Sequence, residues 1–155
     1  MVEIKEINSY SEDIINLWQA SFGDSREDIE FFLRECKNKK CVCLYNNSRL
    51  LSMLFLVDCR VSDREFVYIY AACTDKSAQG KGYMSRLLNY CRDKYKNVLL
   101  IPGSESLVKF YKDREFNHKI DIKNILFNES DGIVNEYLFE GSSLEKPFAL
   151  AYEGE

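Results

Sequence analysis

The order of apolar and polar residues divides the chain into segments with strand-like and helical periods. Val2–Ile7 alternates apolar and polar residues, as expected of a strand with one buried face. Apolar residues then recur at helical spacing, at Ile14, Leu17, Trp18 and Phe22. The pattern therefore predicts a strand followed by an amphipathic helix.

Two capping patterns predict where the first two helices begin. Ser9 and Glu12 have the spacing of a capping box. The residues FGDS interrupt the first helical pattern, and Ser25 with Asp28 predicts the start of a second helix. The apolar face of that second helix comprises Ile29, Phe32, Leu33 and Cys36.

Three strands are predicted after these helices. Residues 41–45 and 50–57 are strand-like, and the residues NNS between them favour a hairpin turn. Residues 66–73 are rich in aromatic and β-branched side chains, which are typical of strands. The central part of the chain is therefore expected to form a sheet.

The second half alternates helices and strands and ends in a predicted hairpin. A helical pattern begins within AQGKGYMSRLL, and residues 98–101 form a short apolar strand. Ser104 predicts the cap of another helix, which carries Tyr111. Residues 119–128 and 133–139 are predicted as two strands separated by ESDG, with DG at the turn.

The resulting order of elements is β-α-α-β-β-β-α-β-α-β-β. It predicts an α/β fold with a mixed, mostly antiparallel sheet flanked by helices. A length of 155 residues suits a single domain spanning residues 1–155. Ligands of such sheets bind at the carboxyl ends of the central strands.

Charge and hydropathy exclude several classes of partner. The net charge of −4 offers no basic surface for nucleic acid. The first residues, MVEIKEINSY, lack the apolar core of a signal peptide, and the apolar run at 53–57 is too short to cross a membrane. We therefore expect neither a nucleic acid nor a membrane as partner.

The six cysteines lie mostly within apolar runs, where cysteine behaves as a small hydrophobic residue. No Cys-x-x-Cys pair is present, and His118 is the single histidine. We therefore expect no metal site, and a reducing cytoplasmic setting.

The turn at Gly80, Lys81 and Gly82 has the chemistry of an anion-binding site. The first amides of a helix have no intrahelical partner, and the aligned peptide dipoles add about half a positive charge there. Glycine lets a ligand approach the backbone closely, and the lysine adds a cation. Phosphate is the expected ligand.

Two common phosphate-binding motifs do not fit this turn. A nucleotide-binding P-loop requires Ser or Thr directly after its Gly-Lys pair, whereas Lys81 is followed by Gly82 and Tyr83. A dinucleotide fingerprint requires a third glycine where this chain has Ser85.

QGKGYM instead resembles the Gln/Arg-x-x-Gly-x-Gly/Ala turn of the GNAT superfamily of N-acetyltransferases, which holds the diphosphate of coenzyme A. Gln79 and Gly82 match, and Met84 stands where the family has Gly or Ala. The resemblance implies that the turn binds this cofactor. Its residues are Gln79, Gly80, Lys81, Gly82, Tyr83 and Met84.

Two further segments share the resemblance. YIYAACTD is similar to the family's fourth strand, which implies that Ala72, Cys73 and Thr74 bind the acetyl carbonyl and the pantetheine arm. LVKFYKDREF is similar to the Phe-Tyr-x-x-x-Gly-Phe segment and aligns Tyr111 with the family's tyrosine, while Glu115 replaces the glycine. More narrowly, LWQASFGDSREDIEFF, YIYAACT and LIPGSES resemble the amino-terminal unit of enhanced-intracellular-survival-type acetyltransferases.

The resemblance implies an acetyl-CoA-dependent N-acetyltransferase. Tyr111 would be the general acid toward the coenzyme A sulfur, and Ser104 and Glu105 would line the cofactor arm. Asp75, Glu105 and water remain open as the group that takes the proton of the amine.

The partner implied is a small-molecule or peptide amine, and the acceptor stays open within that class. A homodimer is also open. The alternatives to an N-acetyltransferase are a non-catalytic acyl-CoA-binding module and a pure protein-interaction domain. Cys73 could act as an acyl nucleophile, but packing within a strand is the favoured interpretation.

Overall fold

The computed structural model describes residues 1–128 and 132–154, which form one eight-stranded sheet and five α-helices. The strands are β1 (Val2–Ile7), β2 (Lys39–Asn46), β3 (Arg49–Val61), β4 (Arg64–Thr74), β5 (Asn97–Leu100), β6 (His118–Ile120), β7 (Ile125–Phe127) and β8 (Ala149–Glu153). The helices are α1 (Glu12–Phe22), α2 (Arg26–Glu35), α3 (Tyr83–Tyr95), α4 (Glu105–Lys112) and α5 (Gly132–Leu138).

The strand order is β1-β2-β3-β4-β5-β8-β6, and β7 pairs with β3. Among the described pairs, only β4 and β5 run parallel. The predicted α/β fold with a mixed, mostly antiparallel sheet is confirmed. Ligands of open α/β sheets bind beyond the carboxyl ends of the strands, so the ends of this parallel pair are where a site is expected.

Alternation along the strands creates a core on each face of the sheet. Cys41 and Cys43 of β2 belong to the core covered by α1, α2 and α5, whereas Val42 and Leu44 belong to the core covered by α3 and α4. The cores therefore fix helices from different parts of the chain against one sheet. All six cysteines are buried within them.

Local turn chemistry explains the first half of the fold. Asn47 and Ser48 both have positive φ, of 51° and 72°, and form the two-residue turn of a β2–β3 hairpin. The predicted hairpin is confirmed, although Asn46, assigned to the turn from the sequence, is the last residue of β2. Ser25 Oγ accepts a hydrogen bond from the Asp28 amide at 3.1 Å, which confirms the predicted cap of α2.

The predicted capping box at Ser9 is wrong. The cap of α1 is Ser11, and Glu12 is already the first helical residue. The Ser11 hydroxyl donates a hydrogen bond to the Asp13 carboxylate. Two serines lie just before this helix, and the capping-box spacing favoured the one that the structure does not use.

The predicted terminal hairpin is also wrong. Residues 133–139 fall mainly in α5, where Val134 and Leu138 are buried at helical i, i+4 spacing while Ile133 is exposed. The Tyr68 hydroxyl of β4 donates to the Leu138 carbonyl at 2.7 Å and holds the helix on the sheet. Asp131, part of the predicted turn, lies outside the described residues, and Gly132 begins α5.

The strands at this end of the chain lie elsewhere. The segment predicted as one strand over 119–128 holds most of β6 and all of β7, which are separated by a 3-10 turn. The Asp121 carboxylate accepts a hydrogen bond from the Lys123 amide of this turn at 3.1 Å. The last strand, β8, was not predicted. It inserts between β5 and β6.

Glu115 follows α4 in the left-handed conformation, with a φ of 73°. This is the position at which the motif resembled by LVKFYKDREF has glycine. The amide of Phe116, the next residue, donates to the Tyr111 carbonyl at 3.1 Å, and the Glu115 carboxylate lies 3.1 Å from the Arg92 guanidinium. The chain therefore keeps a backbone geometry suited to glycine while using a larger residue.

We expect Glu115→Gly to be more stable than Glu115→Ala by about 1 kcal/mol, because a left-handed residue with a Cβ atom is strained. Both substitutions remove the contact with Arg92, so the difference between their free energies of unfolding reports the backbone strain. The measurement is the free energy of unfolding in urea. Equal stability of the two variants would contradict the strain.

Candidate functional site

A β-bulge near the end of β4 shapes the site. Met53 of β3 pairs with Cys73, and Phe55 pairs with Tyr70, so Leu54 alone lies opposite two residues of β4. Those residues are Ala71 and Ala72, and Ala71 has a φ of 54°. This two-against-one count bends the strand away from its regular direction.

The bulge lies where β4 and β5 stop pairing. Their register covers three pairs, ending at Ile69 with Leu100. β5 ends there, whereas β4 continues to Thr74. Within the described residues, the edge of β4 that faces β5 therefore has no strand partner after Ile69.

A cavity of about 230 Å³ occupies this opening. Its floor includes Tyr70, Ala71 and Ala72 of β4, and Tyr111 and Leu107 of α4 form one side. The lining also includes Trp18, Phe22, Asp24, Glu140 and Ser142.

Tyr111 is buried and lines the cavity. Burial raises the pKa of its hydroxyl to about 12, although the nearby Arg114 charge opposes this shift. Within residues 1–128 and 132–154 the hydroxyl has no hydrogen-bond partner. The side chain is therefore a neutral phenol whose proton is available to a ligand.

The glycine turn forms the start of α3, on the helix side of the second core. Gly80 and Gly82 have φ values of 77° and 80°, and a Cβ atom at either would meet open space. In the described part of the chain, the amides of Tyr83, Met84 and Ser85 donate to no acceptor. The turn thus presents the unpaired amides expected of an anion-binding helix start.

Side-chain contacts hold this turn to β4 and to α4. Gln79 Nε2 donates to the Thr74 carbonyl at 3.2 Å. Arg114 Nε donates to Ser85 Oγ at 2.8 Å, and its Nη1 donates to the Phe110 carbonyl at 2.8 Å. Arg114 therefore connects the first turn of α3 with the helix that carries Tyr111.

The other predicted cofactor residues have different surroundings. Cys73 is buried in the core beneath α1, and burial raises the pKa of its thiol to about 12, which disfavours a nucleophilic role. Thr74 Oγ1 lies 2.8 Å from Ser52 Oγ. Lys81 is exposed, whereas Tyr83 and Met84 are half-buried and pack against the core beneath α3.

Ser104 is the cap of α4, and Glu105 is its exposed first residue. Ser104 Oγ lies 3.1 Å from Ser106 Oγ, and the preceding Gly103 lines the cavity. These residues lie beside the opening, while the cavity wall itself is formed by their neighbours.

The carboxylates considered as proton acceptors from the sequence do not line the cavity. Hydrogen bonds from the Ser77 hydroxyl and amide hold the pKa of Asp75 below its usual value, and Arg49 adds to this effect. Asp75 lines a different depression, with Arg49 and Asn16. A carboxylate bound in this way is a poor base.

Sequence reasoning missed the two carboxylates that do line the cavity, Asp24 and Glu140. Asp24 Oδ2 accepts a hydrogen bond from Trp18 Nε1 at 2.8 Å. A helix-ending glycine just before Asp24 was the available signal, since it folds the next residue back toward α1. Glu140 had no signal, because the preceding segment was predicted as a strand.

The described residues contain neither a candidate metal site nor a candidate membrane-spanning helix. In that part of the chain, no group of three or more His, Cys, Asp or Glu side chains could hold a metal ion. None of its helices combines the length and the apolar character needed to cross a bilayer.

Known structures share this architecture at low sequence identity. A GNAT family acetyltransferase from Elizabethkingia anophelis with acetyl-CoA bound has a TM-score of 0.63 and 16% identity, covering 98% of this chain and 97% of that one. A Bacillus subtilis acetyltransferase in complex with CoA has a TM-score of 0.63 and 13% identity, covering 100% and 99%.

A probable N-acyltransferase from Enterococcus faecalis V583 has a TM-score of 0.56 and 12% identity over 72% of this chain. The present chain covers only 32% of that protein's length. No curated protein sequence matches this chain.

The sequence profile of the acetyltransferase (GNAT) domain matches residues 4–118. That range extends from β1 to the start of β6 and includes the bulge, the glycine turn and Tyr111. Because the match covers most of the chain and the fold agrees with it, this protein belongs to the GNAT acetyltransferase domain family.

Proposed function

We propose that this protein is an acetyl-CoA-dependent N-acetyltransferase that acetylates a primary amine. The observation that carries the proposal is the opening between β4 and β5, where the bulge at Ala71 faces the buried Tyr111 across a cavity. Family membership and structural neighbours with acetyl-CoA or CoA bound support the choice of thioester.

The glycine turn is proposed to bind the diphosphate of acetyl-CoA. Its open amides and the positive end of α3 favour an anion, and Lys81 adds a cation that is exposed to solvent. Gln79 positions the turn through its bond to Thr74. Ser104 and Glu105 are proposed to lie along the pantetheine arm.

The unpaired edge of β4 is proposed to hold the thioester. Ala72, Cys73 and Thr74 follow the last β4–β5 pair, and backbone groups of Ala72 and Thr74 are proposed to serve the pantetheine and the carbonyl oxygen. The Cys73 amide faces β3 instead, because the Asp75 amide donates to Leu51 of β3 and alternate strand residues face the same edge. Polarising the thioester carbonyl would stabilise the negative charge that develops on oxygen during attack.

The reaction requires one bond to form and one to break. The lone pair of the neutral amine forms a bond to the carbonyl carbon, and the carbon–sulfur bond breaks. The sulfur takes the Tyr111 proton, and the amine nitrogen releases its surplus proton to a cavity carboxylate or to water. Solvent then restores the proton of Tyr111.

Replacing Tyr111 with Phe should lower kcat by roughly 10²–10⁴-fold, because the leaving thiolate loses its proton donor. Thiol release from acetyl-CoA with a panel of primary amines measures this loss. Tyr152→Phe is the matched control, since Tyr152 is half-buried near Phe116 and does not line the cavity. Coenzyme A binding with no turnover for any amine would favour a non-catalytic acyl-CoA-binding module.

The pH profile should show no ionisation of Tyr111 in the working range. Since burial raises its pKa to about 12, the phenol keeps its proton at lower pH, whereas a free amine with a pKa near 10 becomes more nucleophilic as pH rises. We expect kcat/KM to rise toward about pH 10. A descending limb below that pH in the wild type, absent from Tyr111→Phe, would contradict this assignment.

Gly82→Ala should weaken coenzyme A binding by about tenfold, because a left-handed residue with a Cβ atom costs about 1–2 kcal/mol and relief of this strain shifts the turn. Titration calorimetry measures the affinity. Gly23→Ala is the control, since Gly23 has a similar φ of 74° and equally open surroundings at the end of α1. An equal loss of affinity in both variants would argue against a role of the turn in binding.

A further inference from the structure

The walls of the cavity also indicate what kind of amine it accepts. Resting on the function proposed above, we propose that the acceptor is a small cationic amine with an aromatic or apolar body and no carboxylate beside the amino group. Arylalkylamines have this chemistry, whereas free α-amino acids do not.

The charged side chains that line the cavity are all acidic. Asp24 and Glu140 contribute carboxylates, and among the described residues that line the cavity there is no Lys, Arg or His. The Trp18 indole donates to Oδ2 of Asp24, and the carboxylate has further acceptor capacity on its two oxygens. An approaching ammonium group is attracted, and a carboxylate on the acceptor finds no counter-ion.

The uncharged part of the wall is mainly aromatic and aliphatic. Trp18, Tyr70 and Tyr111 supply ring surfaces inside the cavity. Phe22 and Leu107 also line it, and they are 49% and 36% exposed, which places them among the few large hydrophobic residues exposed in the described structure. An apolar acceptor body would cover these two side chains and remove their surface from water.

The volume limits the size of the acceptor. At about 230 Å³ the cavity is smaller than the roughly 300–1,000 Å³ typical of sites for drug-sized ligands, and in the proposed function it also holds the acetyl group and the sulfur of the thioester. A single aromatic ring on a short alkylamine is therefore a better match than a polysaccharide-like acceptor with several rings.

The test compares acceptors that share a phenethylamine skeleton and differ in the group beside the amino group. Initial rates of acetyl-CoA consumption are measured with phenethylamine, phenylalanine and phenylalaninamide, the last of which keeps the bulk of the amino acid without its negative charge. We expect phenethylamine and phenylalaninamide to be favoured over phenylalanine by about 10–100-fold in kcat/KM, because two like charges a few ångströms apart repel strongly near a protein surface.

Charge-neutral variants show whether the cavity carboxylates cause this preference. Asp24→Asn and Glu140→Gln should each bring the ratio of the rates closer to one. Glu136→Gln is the matched control, because Glu136 is an exposed acid of α5 that does not line the cavity. A preference unchanged in both cavity variants would overturn the role of the carboxylates.

Binding can be followed independently of turnover. Trp18 is the single tryptophan of the chain and lines the cavity, so its fluorescence reports on occupancy. A change with phenethylamine that is much weaker with phenylalanine supports the acceptor class even if no acetyl transfer occurs, in which case the proposed reaction alone fails. Equal binding or equal turnover of the two compounds, or no response to either, would overturn the acceptor class.

Discussion

The site depends on one extra residue in β4. Two alanines occupy the space that pairing with β3 allots to one residue, and the left-handed backbone of Ala71 absorbs the excess. The resulting bend lies just after the third and last pair of β4 with β5. Because β5 ends at Leu100 while β4 continues to Thr74, the edge of β4 beyond Ile69 stays open beside the cavity that Tyr111 lines.

The two ends of the site are held to a common framework. The glycine turn is joined to β4 through Gln79 and to α4 through Arg114, and α4 carries Tyr111. A ligand that spans the turn and the cavity therefore contacts elements whose separation is fixed by hydrogen bonds and by one shared core. In the proposed function, this arrangement would hold the thioester in one orientation.

Periodicity was sufficient for the parts of the fold in which each residue has one role. The alternation of β1, the β-branched and aromatic composition of β4 and the hairpin signal NNS were readable because burial and turn chemistry agreed there. Tyr111 and Ala72, both predicted as site residues, line one cavity. The order of elements, which was also predicted, places their helix and strand side by side.

The remaining features depend on the tertiary fold more than on any local signal. Alanine gives no indication of a bulge, since its side chain suits strands and bends alike. The segment at 133–139 contains apolar residues that fit either period, and packing against Tyr68 decides for a helix. Asp24 and Glu140 are far apart in the chain, so that only the tertiary fold brings their charges to one cavity.

The position of β8 sets an order of assembly during folding. β6 pairs with β8, and β8 is the element that connects it to the rest of the sheet through β5. Residues 118–120 therefore have no edge to join until residues 149–153 have reached β5, which requires a long loop to close first. Formation of this side of the sheet is expected to be a late event, after the hairpins of β1 to β4 have formed.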